Sequence, residues 1–282
     1  MTVAQTVSTV DHDLGARVSI DAVSQAFVHQ GTQVVHALDG FGLQIEPSQF
    51  VGLVGPSGCG KTTILGMLAG MYTPTVGSVE VDGQPTTSPR RDVGYMLARD
   101  ALLPWRSAQS NVELGLEARR MPKAERHEIS RRWLDRVGLK GFYDSPITKL
   151  SQGMRQRVAI ARTLALSPRL ILMDEPFAAL DAQTRAQQQQ EFLSLWEAER
   201  PTVVLVTHDL GEAIKLCDRV VLVSHRPGRV IQDIHIELPR PRNAATITEE
   251  PLFRQHYQHL SELLRREVVA AAGAGAGGSE SS

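Results

Sequence analysis

The eight residues Gly55-Pro56-Ser57-Gly58-Cys59-Gly60-Lys61-Thr62 constrain this chain more than any other stretch, because they fit GxxxxGK[ST] between an apolar run, FVGLV, and a helical one, TTILGMLAG. Strand, loop and helix in that order are what a phosphate cradle requires. Gly55, Gly58 and Gly60 let backbone N–H groups turn inward, where a Cβ would obstruct the turn or force a strained φ. The helix that follows points its positive end at the same spot. Lys61 is expected to set its ammonium against the β and γ phosphates of a nucleotide and the Thr62 hydroxyl to ligate Mg2+, with Thr63 beside the phosphates in the same turn. Pro56, Ser57 and Cys59 complete the loop that would wrap them.

Around this loop the chain reads as an α/β protein. Val18 to Phe27 and Val34 to Ile45 alternate apolar and polar residues with turn formers between, which predicts an N-terminal antiparallel sheet. Phe50 to Val54, Arg169 to Met173, Thr202 to Val206 and Arg219 to Val223 are short and nearly continuously apolar, as strands buried on both faces of a largely parallel sheet are. Helical spacing runs through Thr62 to Ala69, Gln152 to Leu166 and Ala182 to Glu199, and Pro168 and Pro201 punctuate the last two. Between Ser107 and Lys149 a polar, Arg-rich, helix-favouring stretch broken by Pro122 and Gly138 predicts a helical subdomain, about 100–160, inserted in the core. Residues 1–16 are expected to be flexible and 17–245 to form one domain. A C-terminal helix is expected over 246–269, and AAAGAGAGGSESS, 270–282, has nothing to bury and reads as a disordered tail.

Composition narrows the partners. The 282 residues contain no run of eighteen or more apolar residues, so a membrane role must come through another protein. The start, Met1 to Val10, lacks a secretory signal, so the protein is expected to stay in the cytosol. A net charge of -1 provides no basic field to capture nucleic acid. Cys59 and Cys217 lie far apart and form no CxxC pair, which argues against a zinc site or a disulfide framework.

Two further motifs give the loop its chemistry. Leu170-Ile-Leu-Met-Asp174-Glu175-Pro176 is an apolar strand that delivers two carboxylates to its end. Neighbours on a strand face opposite ways, so Asp174 is placed to hold Mg2+ through water and Glu175 to polarise the attacking water as general base. Alone, the pair would pass for a solvated strand end before a proline turn. Leu150-Ser151-Gln152-Gly153-Met154 then leads into the amphipathic run RQRVAIARTLAL.

Together the three motifs resemble the ATP-binding cassette family over about 18–242. The resemblance implies a P-loop NTPase fold with a RecA-like core and mostly parallel sheet, an N-terminal antiparallel β subdomain and an inserted α-helical signature subdomain. It implies ATP and Mg2+ as cofactors and ATP hydrolysis as the reaction. It also implies a second ATPase subunit, most simply a second copy, because in the family the signature's serine hydroxyl (Ser151), glycine N–H (Gly153) and helix start grip the γ phosphate of ATP held by the other subunit. Gln152 departs from the glycine usual at its position. Ala179-Leu180-Asp181 is similar to the D-loop that crosses to the partner, and His208, after TVVLVT, resembles the switch histidine that contacts the γ phosphate and the hydrolytic water. Phe27 is either an aromatic that stacks on adenine or a core aromatic of the first strand.

Ala101-Leu-Leu-Pro104-Trp105, Arg226-Pro-Gly-Arg229-Val and Leu238-Pro-Arg-Pro-Arg242 resemble the nitrate, sulfonate and taurine importer branch. That branch implies integral membrane permease subunits docked around 98–105, a periplasmic or lipid-anchored substrate-binding protein, and a peripheral position on the cytoplasmic face of the membrane. A soluble cassette ATPase uncoupled from transport would be expected to carry a coiled coil or a second cassette, and neither is present. A metabolic kinase would leave the signature after Leu150 unexplained. Where the family has glutamine after RDVGYML, this chain has Ala98, whose methyl group neither ligates Mg2+ nor hydrogen-bonds water. An ordered water or Gln109 is expected to take over part of the role, with slow turnover. If the site is adapted to alanine, Ala98→Gln causes a large loss of ATPase rate; an unchanged or faster rate would show that it is not.

Overall fold

Apolar alternation and apolar continuity build two different sheets. The computed structural model describes residues 15–29, 33–97, 100–244 and 246–276. The alternating segments β1 (Val18–His29) and β2 (Gln33–Ile45) pair antiparallel, and β4 (Val76–Val81) and β5 (Gln84–Pro85) extend them in the order β2-β1-β4-β5. The continuous segments β3 (Phe50–Val54), β6 (Val93–Met96), β7 (Leu170–Asp174), β8 (Thr202–Thr207) and β9 (Arg219–Val223) are mutually parallel. With β10 (Val230–His235) added antiparallel to β9, the second sheet runs β10-β9-β3-β8-β7-β6.

Their continuity has a packing cause, since both faces of the second sheet are covered. Val51, Leu53, Leu170, Leu172, Val204 and Val206 face a core shared with helix α1 (Lys61–Leu68) and with Phe41, Leu43 and Ile45 of the antiparallel sheet. On the opposite face Phe50, Ile171, Met173, Val203 and Leu205 meet helices α5 (Gln152–Leu164), α6 (Ala182–Glu199), α7 (Leu210–Leu216) and α8 (Pro251–Ala276). Phe50 and Trp196 pack there with ring centroids 5.3 Å apart. Between β6 and β7 the expected helical insert is present as α2 (Ala108–Val112), α3 (Leu114–Ala118) and α4 (Lys123–Arg136) leading to α5. Pro122 caps the start of α4, and Gly138 follows its end with φ 73°, a conformation only glycine adopts freely.

Two boundaries differ from expectation. Ala16, assigned to a flexible start, is fully buried, and its N–H donates to the Arg169 carbonyl at 3.1 Å, so order begins before β1; residues 1–14 lie outside the described part. Helix α8 runs to Ala276, past the expected limit at 269, through a stretch whose alanines are the strongest helix formers; 277–282 lie outside the described part. Tyr95 and Met96 belong to β6, and Ala98 just beyond lies outside the described residues.

The Leu238-Pro-Arg-Pro-Arg242 stretch, read from sequence as a branch signature, has a structural task. Arg242 is 4% exposed, and its guanidinium donates to the carbonyls of Ile214, Cys217, Ile236 and Leu238 at 3.2, 2.7, 3.2 and 3.0 Å. It thereby satisfies the orphan carbonyls at the end of α7. Burial pulls its pKa down to about 10, so it is still charged at neutral pH. Arg240 bonds Asp218 at 2.8 Å and lies over the Trp196 ring at 4.3 Å. Arg242→Met leaves those carbonyls unpaired in the core, and we expect a loss of about 3 kcal/mol, or roughly 6–10 °C in Tm, by thermal denaturation; a fall under about 2 °C would contradict the anchoring role.

Candidate functional site

The register of three parallel strands sets the site. Val54 pairs with Thr207, and Asp174 with Val206, so the loop after β3, the acids after β7 and the turn after β8 emerge at one level on the carboxyl edge of the sheet. That edge is where ligands of open α/β sheets bind.

The loop has the shape its glycines predict. Gly58 and Gly60 adopt φ 77° and 101°, and a Cβ at Gly60 would sit 2.6 Å from Leu38 Cδ2 and 2.8 Å from the Ala37 carbonyl of β2. At Gly55 it would sit 2.5 Å from the Val223 carbonyl. Lys61 is buried, and its ammonium donates to the Gly55 and Pro56 carbonyls at 2.7 and 2.8 Å. A cleft of about 300 Å³ lies over the loop. Ser57, Gly58, Gly60, Lys61, Thr62 and Thr63 line it, together with Phe27, Val35 and Ala37 from the antiparallel sheet, Glu175, Val206 and Arg226. Gly55, Pro56 and Cys59 are not among its lining: they form the back of the loop, with Cys59 buried as a free thiol. The glycine cradle, the ammonium and the helix start together fit a polyphosphate.

The core-aromatic reading of Phe27 does not hold. It is 41% exposed at the lip of this cleft and meets Tyr72 edge-on at 6.1 Å, so it is no core residue.

Thr62 Oγ1 donates to the Asp174 carboxylate, 3.2 and 3.4 Å from its two oxygens, which brings the expected metal ligands together. Burial raises the Asp174 carboxyl pKa, opposed by the Thr62 hydrogen bond, while Glu175 raises it further and Lys61 lowers it. A half-buried carboxylate paired with a hydroxyl is a donor set suited to Mg2+. Glu175 is separated from Asp174 by a different device than the strand pleat expected. The strand ends at Asp174, and Glu175 turns out of it at φ 47°, in the left-handed region a glutamate seldom enters, with its N–H held by the Val206 carbonyl at 2.9 Å. Such strain persists where surrounding structure imposes it. His208 Nδ1 lies 3.2 Å from Glu175 Oε1.

Ser151, Gly153 and Asp181 are gathered elsewhere. They line a second cleft of about 320 Å³ that shares no lining residue with the first. Ser151 caps α5 by accepting from the Met154 N–H at 3.3 Å, and Asp181 caps α6 by accepting from the Thr184 N–H at 3.0 Å. Gln152, the departure from glycine, donates to the Ala179 carbonyl at 2.6 Å and so ties the two caps together. Behind them, Gln189 of α6 donates to Glu212 of α7 at 2.8 Å, a buried link between the helix after Asp181 and the helix after His208. Burial raises the Glu212 carboxyl pKa.

One expectation fails. Gln109 is 4% exposed in α2, its amide donates to Glu113 at 2.9 Å and accepts from Arg131 at 3.3 Å, and it lines no part of the nucleotide cleft. Packing inside the helical insert holds it there, so it cannot replace the side chain missing at position 98. Sequence reasoning also passed over Arg226. Its RPGR turn was visible, but nothing in the sequence showed that the turn comes back to the loop.

Comparisons with known proteins agree with this geometry. The sequence profile described as ABC transporter matches residues 38–178. An uncharacterized ABC transporter ATP-binding protein of Methanocaldococcus jannaschii is 44% identical over 253 residues, 90% of this chain and 93% of its own. The taurine import ATP-binding protein TauB of Yersinia pseudotuberculosis is 41% identical over 83% of this chain and 94% of its own. The nitrate import ATP-binding protein NrtD of Synechocystis is 40% identical over 87% and 94%. Among solved structures, the dimeric post-hydrolysis state of the ATP-binding cassette MJ0796 bound to ADP and Pi superposes with a TM-score of 0.69 at 32% identity, covering 79% of this chain and all of that one. A glycine cradle at the end of β3, an acid pair at the end of β7 one strand beyond its neighbour β8, and relatives that cover most of the chain agree on one assignment: the chain belongs to the ABC transporter family, as an ATPase subunit.

Proposed function

We propose that this subunit works as a pair of like chains that energises uptake of a small anion, of the nitrate, aliphatic sulfonate or taurine class, through membrane permease subunits fed by a substrate-binding protein outside the membrane. The observation that carries the pairing is the split of the site. The phosphate loop with Lys61, Thr62, Asp174 and Glu175 lines one cleft, and Ser151, Gly153 and Asp181 line another with no residue in common. A second copy, placed head to tail, brings its Ser151 helix start to the open side of the first cleft, where that helix end attracts anionic charge. The dimeric cassette MJ0796 is a relative with ADP and Pi bound, and the import proteins TauB and NrtD support the transport class.

Within each site the residues divide the work. The inward N–H groups of 57–63 and the Lys61 ammonium hold the phosphates, and Phe27 stacks on the base. Thr62 and, through water, Asp174 would hold Mg2+, which when bound neutralises charge on the phosphate oxygens. Glu175 takes the proton of the attacking water, and His208, 3.2 Å from it, keeps that carboxylate oriented. The link to the membrane runs along α5. Arg155 donates to Asp100 at 3.0 Å and Arg162 to the Ala101 carbonyl at 2.7 Å, so the helix that starts at Ser151 also grips the 100–105 segment, whose Trp105 is 77% exposed. A shift of that helix on closure moves the permease-facing segment with it. Among the described residues no helix is long and apolar enough to cross a membrane; the peripheral place on the cytoplasmic face is inferred from the likeness to import subunits.

Glu175→Gln keeps the shape of the side chain and removes the base. We expect ATP turnover to fall about 100-fold or more and a nucleotide-bound dimer to accumulate on size-exclusion chromatography; normal turnover would refute the assignment. Asp174 gives a pH-dependent test. Because burial raises its pKa above the unfolded value, its favourable contribution is present below the unfolded pKa and lost as pH rises through the folded one. Asp174→Asn is therefore expected to raise the Tm of the nucleotide-free protein at pH 7, by an amount that shrinks toward pH 4, while abolishing the extra stabilisation from MgATP. An unchanged MgATP response would remove Asp174 from the metal site.

A further inference from the structure

Arg226 sits at the mouth of the nucleotide cleft with its charge uncommitted. It belongs to the 224–229 turn between β9 and β10, and that turn is built into the phosphate site. The Gly228 N–H donates to the Ala37 carbonyl at 2.9 Å, and the Asp39 N–H donates to the Gly228 carbonyl at 3.2 Å. Gly228 also lies so close to the loop that a Cβ there would be 2.1 Å from the Cys59 carbonyl. Ser224 Oγ closes the turn by accepting from the Arg229 N–H at 2.9 Å, and Arg229 Nε pairs with Asp39 of β2 at 3.1 Å. The turn is thus fixed to the same two elements, β2 and the loop, that form the walls of the cleft.

From that fixed base the Arg226 side chain reaches over Gly58. Its Nε donates to the Gly58 carbonyl at 3.1 Å, and it lines the cleft together with Phe27, Lys61 and Thr62. One donor of the guanidinium is used in this way. Among the described residues no carboxylate forms an ion pair with Arg226, whereas the neighbouring Arg229 is paired with Asp39. The Lys61 ammonium, the other cation lining the cleft, is engaged by the Gly55 and Pro56 carbonyls. A planar guanidinium that lines the cleft and is anchored through its Nε alone keeps further donors with which to clamp a phosphate oxygen.

We propose that Arg226 is a further nucleotide-binding residue, contacting the polyphosphate of the nucleotide in its own chain's loop and holding the loop open through Gly58. The proposal rests on the reading of the first cleft as the nucleotide site. The Arg226-Pro-Gly-Arg229 turn then has a function: Gly228 admits the close approach, Arg229 pins the turn to β2, and Arg226 carries the charge inward.

The test compares the full chain with Arg226→Ala and Arg226→Lys by equilibrium titration with MgATP, MgADP and adenosine, and by ATPase kinetics. Loss of a charge-assisted contact on a partly exposed site should weaken MgATP and MgADP binding about tenfold and raise KM more than it lowers kcat. Adenosine affinity should be unmoved. Lysine should recover part of the affinity, and the wild-type affinity should fall with added KCl more steeply than that of Arg226→Ala. Wild-type protein that fails to bind MgATP would overturn the nucleotide reading itself. Wild-type binding with equal affinity in Arg226→Ala would overturn only this proposal. Two other results would also overturn it: a lowered nucleotide-free Tm with adenosine and MgATP weakened alike, which would make Arg226 a purely structural prop, or unchanged nucleotide affinity with impaired dimerisation, which would make it a partner contact.

Discussion

A backbone loop that binds anions through its own N–H groups cannot hold that shape alone, because the inward amides repel one another and glycine has the largest conformational entropy to lose. Here the loop is held from outside. β3 lies between β8 and β9 in a sheet covered on both faces, β2 presses Leu38 and Ala37 against Gly60, and the Gly228 turn closes on Cys59. The positive φ values at Gly58 and Gly60 are therefore imposed by packing, and the antiparallel sheet serves the site as much as the parallel one does. The same frame explains how Glu175 can occupy the left-handed region: its N–H is captured by β8, so the strand's own hydrogen-bonding holds the strained residue in place.

Polar groups in the interior follow the same logic. Arg242, Arg240 and the Gln189–Glu212 pair are buried or nearly so, and each is placed against carbonyls or carboxylates that would otherwise be unpaired. They add specificity of packing at the ends of α6 and α7, the helices that follow Asp181 and His208. A helix end anchored by several directed hydrogen bonds moves as a unit, which suits elements that, in the proposed pair, would answer together to closure of the site.

Motif and period carried much of the architecture into view before any coordinates. Phe50–Val54, Arg219–Val223 and the helix Ala182–Glu199 lie where their patterns put them, since continuous apolarity and proline stops report burial directly. β4 and β10 were overlooked because Val76–Val81 and Val230–His235 are half exposed and mix charged with apolar residues, so neither period stands out. For Phe27 the sequence left two possibilities, and exposure removed the core-aromatic one. Gln109, offered beside an ordered water as a stand-in at position 98, is held away from the cleft by its buried cluster with Glu113 and Arg131.

By itself the sequence determined the chemistry that can be done: glycines where a Cβ is excluded, one lysine and one threonine at the loop's end, two acids after an apolar strand, and a serine at a helix start. These are local requirements, written in neighbouring residues. What only the tertiary structure decided is which of them meet. Register across β3, β8 and β7 brings Thr62 to Asp174 and His208 to Glu175, while Ser151 and Asp181 gather in a different cleft. The return of the chain after β9 sets Arg226 over Gly58, at a separation of 168 residues. No local pattern encodes a contact across that distance, because it depends on how every intervening strand is ordered in the sheet.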